Sequence, residues 1–91
     1  MTVDGISIDT ICEKEIVDAN ILRVRVGTTG LKGGDSGHSC RTYFGIFDES
    51  NTDMRIRKVS NGFEVLLGGD SELKTMIEAL EFITKKLKEK S

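Results

Sequence analysis

Proline and tryptophan are absent from the chain, histidine and tyrosine occur once each, and cysteine occurs twice. Without proline there is no stiff Pro-rich linker. Ten glycines are instead the only strong breakers, which implies several tight turns that need positive φ. Cys12 and Cys40 are too few for a disulfide framework and read as free thiols packed as small apolar groups. The single histidine and the lack of paired Cys/His spacings leave a structural zinc short of ligands, so no metal and no cofactor is expected. A net charge of −2 gives no general attraction to nucleic acid or to a membrane surface; only a local patch would supply one. No apolar run is long enough to span a bilayer. The opening MTVDGISIDT has neither the basic nor the apolar region of a signal peptide, so the expected compartment is the cytoplasm. Ninety-one residues fit one domain, residues 1–91, with a modest core.

The most regular segment is the last. From Leu73 onward, Leu73, Met76, Ile77, Leu80, Ile83 and Leu87 recur at helical spacing, and Ala79 and Phe82 widen the stripe. Asp70 or Ser71 suits the N-cap, and lysines crowd the last turns, where helix carbonyls favour cations. Before it, MRIRKVSNGFEVLL alternates on both sides of Asn61-Gly62, a strong hairpin signal. A turn centred there pairs Ser60 with Phe63 and Ile56 with Leu67. It gathers Met54, Ile56, Phe63, Val65 and Leu67 on one face, the face expected to receive the helix. NILRVRVGTTG and CRTYFGIFDE read as two further strands. The N-terminus fits a short strand at Ile6 and Ile8, although Ile8, Ile11 and Cys12 also fit a helical stripe. The expected fold is α+β: a four- or five-stranded antiparallel meander with one C-terminal helix packed on one face.

The string GGDS occurs at Gly33–Ser36 and at Gly68–Ser71. The second copy is explained by strand exit and helix capping. The first continues as GDSGH, letters shared with a serine-protease nucleophile loop. Asp35, Ser36 and His38 are near neighbours in one loop, however, and a triad needs side chains converging from separate segments. A non-enzymatic protein is therefore expected. The same segment places five glycines in eleven residues between two strands, far more chain than a hairpin needs. Two readings stay open: Asp35 and Ser36 cap backbone amides within a structural loop, or Lys32, Gly33, Gly34, Asp35, Ser36, Gly37 and His38 hold a small anion in a nest of amides.

In a single meander, Arg23, Arg25, Arg55 and Arg57 share the face away from the helix, and Arg41, Tyr43 and Phe47 join them. Arginines beside aromatics suit phosphates and stacked bases. The same face also suits a dimer contact that buries Ile21, Phe47 and Leu66. Two functions are thus expected. The first is a binding protein that holds an anionic small molecule, a nucleotide or phosphoester, with Lys32–His38, Arg23, Arg25, Arg41, Tyr43 and Arg57. The second is a structural or protein-interaction module that acts through its sheet face or edge. Either is compatible with a homo-oligomer.

Gly33–Phe44, GGDSGHSCRTYF, resembles a motif of a small uncharacterised family of bacterial and phage proteins. These combine a GGDSGH loop, an RTYF strand and a GGD before a final helix. The pieces recur in order across most of residues 20–90. The resemblance implies a bacterial or phage setting and carries no activity with it.

Overall fold

The structure, a computed structural model, describes residues 2–8, 11–31, 33, 40–50 and 54–90. Thr2–Val3 (β1) and Ile6–Ser7 (β2) pair across a turn at Asp4–Gly5. Ile11–Val17 (β3), Ile21–Thr28 (β4) and Thr42–Asp48 (β5) form an antiparallel sheet in that order. Arg55–Val59 (β6) and Gly62–Leu66 (β7) pair only with each other, and Asp70–Lys90 (α1) closes the described chain.

The class is α+β with antiparallel pairing and a C-terminal helix, as the sequence implies. The single meander is not formed: its strands are divided among two-, three- and two-stranded sheets. The exit from β5 explains the break. Glu49 donates its N–H to the carbonyl of Ile21 at 3.0 Å, and the Ile21 N–H donates to Ser50 Oγ at 3.0 Å. Both bonds hold the chain to β4, on the side of β5 opposite its free edge. The next strand therefore does not fold back along that edge. Inside the hairpin, Val59 faces Gly62, Lys58 faces Phe63 and Ile56 faces Val65. This is two residues away from the register that a turn centred on Asn61-Gly62 gives. A shift of two keeps every side chain on its face, so Ile56, Phe63 and Val65 still lie together.

β4 is the middle strand. Leu22, Val24 and Val26 point to the helix and are fully buried, while Arg23 and Arg25 point away. Ile16 on β3 and Met76, Ala79 and Ile83 on α1 complete the core. The helix is rolled relative to the expected stripe. Its buried line is Glu72, Thr75, Met76, Ala79 and Ile83, and Leu73, Ile77 and Leu80 are exposed.

A polar clamp accounts for the roll. Asn20, in the β3–β4 turn, is buried at 2% exposure. Its amide nitrogen donates to Thr75 Oγ1 at 2.9 Å, and its Oδ1 accepts from Ser71 Oγ at 2.7 Å. Thr75 has one hydroxyl proton, and Ser71 O, one turn back at 3.1 Å, is its helical acceptor. Buried polar groups need partners, so these bonds draw Ser71 and Thr75 against the sheet and turn the Leu73–Ile77–Leu80 flank outward. The helix itself starts after Gly69, whose φ of +92° reverses the chain and whose carbonyl accepts from Leu73 N. Glu72, the third residue of the helix, reaches back past its start and accepts the N–H of Gly68 at 2.9 Å.

Candidate functional site

Three surfaces compete for a role. The first is the outer face of the three-stranded sheet. Across the β4–β5 register Arg23 faces Phe47, Arg25 faces Gly45 and Gly27 faces Tyr43. The Arg23 guanidinium lies 4.3 Å from the centre of the Phe47 ring and that of Arg25 lies 5.5 Å away. Both guanidiniums already have carboxylates. Arg23 Nε donates to Glu49 at 2.7 Å and its Nη1 to Glu13 at 3.4 Å, while Arg25 Nε donates to the other oxygen of Glu13 at 3.1 Å. The hydrogen bond to Glu49 is the main reason the Arg23 pKa is raised above the usual arginine value, with Glu13 adding to it. Two arginines shared between two glutamates make a locally balanced face, not a positive one. Gly45 leaves room for its neighbours: a Cβ there would stand 2.8 Å from the Tyr43 hydroxyl and 3.0 Å from the Phe47 ring. Arg57 lies on the separate β6–β7 hairpin and is not part of this sheet.

The second surface is the base of the glycine-rich segment. Thr29 and Arg41 extend the β4–β5 ladder by one rung: Thr29 N–H donates to Arg41 O at 3.0 Å, and Arg41 N–H donates to Thr29 Oγ1 at 2.9 Å. Beneath that rung the hydroxyls of Thr28 and Thr42 meet at 2.9 Å, with Cys40 Sγ 3.5 and 3.3 Å away. This fixes the roots of the segment. Gly33 is exposed with a φ of +82°. Lys32, Gly34, Asp35, Ser36, Gly37 and His38 lie outside the described residues. Arg41 and Tyr43 border a cleft of about 330 Å³ with Asp4 and Ile6 of the N-terminal hairpin. Among the described residues, no three His, Cys, Asp or Glu side chains come together as a metal site needs.

The third surface is apolar and was not legible as a site. A cleft of about 440 Å³ separates the inner face of β5 from the hairpin. Phe44 and Ile46 line it from β5, Ile56, Phe63 and Val65 from the hairpin, and Met76 from the helix. The helix leaves this side open because it packs over β3 and β4. Its far flank carries Phe82, which Lys14 of β3 approaches to 5.9 Å. On a wheel of 100° per residue, Leu73, Ile77 and Leu80 fall on the opposite flank, adjoining Met76 and hence the cleft. All three are exposed, as are Phe44, Ile56, Phe63 and Val65.

No family model matches the chain, and comparison with curated proteins and with solved structures found no match. No helix of the described residues is long and apolar enough to cross a membrane.

Proposed function

We propose that this chain is a non-enzymatic protein-interaction module whose working surface is the apolar groove between β5, the β6–β7 hairpin and the Leu73–Ile77–Leu80 flank of α1. One observation carries the reading: Phe44 of β5 and Ile56, Phe63 and Val65 of the hairpin line one cleft and remain exposed, and the exposed Leu73–Ile77–Leu80 flank of α1 adjoins Met76 at its border. Scattered exposed leucines are ordinary, whereas a contiguous patch of this kind marks a contact surface. Titration with an apolar fluorescent dye tests it. The dye is expected to bind the dilute chain, and Phe44→Ser with Phe63→Ser to remove most of that binding. A dilute chain that ignores the dye contradicts the reading.

A second reading has its own observation. Arg41 stands at the root of the glycine-rich segment, beside Tyr43, without an ion pair among the described residues, unlike Arg23 and Arg25. An anionic small molecule, a nucleotide or a phosphoester, would meet that guanidinium and the backbone amides of residues 33–38. Native-state binding raises stability by mass action. A thermal-shift series with nucleotides and inorganic phosphate on the chain and on Arg41→Ala tests this, and equal shifts in both, or none, count against it.

A further inference from the structure

The groove asks what covers it, and we infer that the occupant is a second copy of this chain, bound so that the hairpin of each copy lies against the helix flank of the other. This rests on the interaction-module reading and names its partner.

Size is the first argument. A large apolar side chain left about half exposed offers on the order of 100 Å². Phe44, Ile56, Phe63, Leu73, Ile77 and Leu80, with Val65 between them, therefore present roughly 700 Å². The largest apolar patch on an ordinary monomer is about 300–600 Å². A standard stable interface buries roughly 800 Å² on each partner. A small apolar molecule seated in the cleft would leave Leu73, Ile77 and Leu80 wet, because none of them lines it. Only a macromolecular surface covers cleft and flank together.

Charge is the second. Among the described residues none that lines the cleft is ionisable, and Thr42 is the only polar side chain. On the hairpin's apolar face the one charge is Lys58, which pairs with Phe63 next to the turn and so sits at the rim. An apolar centre with charge kept to the rim desolvates at little cost. It also offers nothing that would select an acidic or basic partner.

Symmetry is the third. A two-fold contact uses one patch on both molecules, so that patch must hold both complementary halves. This groove does: a two-stranded hairpin outside the main sheet and an apolar helix flank stand on either side of one cleft. Such a hairpin is only marginally stable without a packed face. Every residue of β7 is exposed in the single chain, so packing against a partner supplies what it lacks.

Sedimentation equilibrium of the full chain, with paired charge substitutions, tests the arrangement. The chain is expected to be dimeric at about 100 µM. Phe63→Glu and Ile77→Lys are each expected to raise the dimer dissociation constant about 100-fold or more. In the single chain these residues are 62% and 47% exposed, so helix content by circular dichroism is expected to stay unchanged. Mixing the two variants is expected to restore a heterodimer, since one hairpin–helix contact becomes Glu against Lys and the other remains native. A dimer that survives both substitutions, or two folded variants that stay monomeric on mixing, overturns the exchanged arrangement. A wild-type chain that is monomeric but still binds the apolar dye overturns the second copy and leaves the groove as a contact surface. A monomer that ignores the dye overturns both.

Discussion

The side-chain amide of Asn20 donates to the hydroxyl of Thr75 at 2.9 Å, a buried bond between residues 55 apart in the chain. It ties the β3–β4 turn to the first turns of the helix and sets which flank of the helix meets the sheet. Asn20→Ala leaves Ser71 Oγ and Thr75 Oγ1 without that partner in a buried setting. A loss of about 2–3 kcal/mol in urea unfolding is expected, given the cost of unpaired buried polar groups. A change below about 0.5 kcal/mol, the scale of a neutral surface substitution, would show that the clamp does not hold the helix.

The same clamp predicts coupling. Thr75→Val removes the acceptor for Asn20 Nδ2 and is expected to cost about 1–3 kcal/mol by itself. The double variant is expected to cost less than the two single changes combined, by about 1 kcal/mol or more, because the residues share one network. Strict additivity in the double-mutant cycle would deny the network.

Gly45 makes a local prediction with a clean optical readout. The chain has one tyrosine and no tryptophan, so its intrinsic fluorescence comes from Tyr43. A Cβ at position 45 meets the far ends of two side chains, the Tyr43 hydroxyl and the Phe47 ring. These can swing aside, so Gly45→Ala is expected to cost about 1 kcal/mol, at the low end for overpacking. It is also expected to change the quenching of Tyr43 by iodide. Unchanged quenching would mean that the phenol does not lie over Gly45.

The outer face is expected to be a poor anion binder because its arginines are already engaged. Glu13→Gln with Glu49→Gln frees both guanidiniums and changes the net charge from −2 to about 0 by simple count of the two removed carboxylates. The variant is expected to be retained on a phosphate-bearing resin at low salt, where the wild type flows through, and to elute as salt screens it. Equal retention of the two would assign the anion-binding face elsewhere.

Much of this was legible in the sequence, for physical reasons that differ by element. The C-terminal helix, the β4 and β5 alternation and the β6–β7 hairpin follow from periodicity, and the two-residue period of a strand made the hairpin's faces correct even though its register moved. β3 was missed. Lys14 falls in the inward register beside Cys12 and Ile16 and breaks the pattern. It is tolerated because β3 is an edge strand and the ammonium reaches the Phe82 ring. The roll of the helix was hidden for the opposite reason. Hydrophobic periodicity favours burying Leu73, Ile77 and Leu80, and three polar residues, Asn20, Ser71 and Thr75, overrule it. An asparagine between two strands followed at long range by a Ser-x-x-x-Thr helix start was the available signal. The separate hairpin depended on Glu49 and Ser50 bonding back to Ile21, which no local pattern announces. The arginine face was correctly placed for Arg23 and Arg25, but its neutralisation depends on Glu13 in the unread strand.

A groove closed by a second copy makes protection of the hairpin depend on concentration. Amide hydrogen exchange of the β6–β7 ladder reads that dependence as concentration rises from about 1 µM to about 100 µM, the range over which a standard-size interface forms. The amides of residues 55–66 are expected to become protected as the chain associates, while those of β3, β4 and β5, already held in the packed sheet, change little. Hairpin exchange that is the same at both concentrations, with the chain dimeric or not, would contradict closure by a second copy.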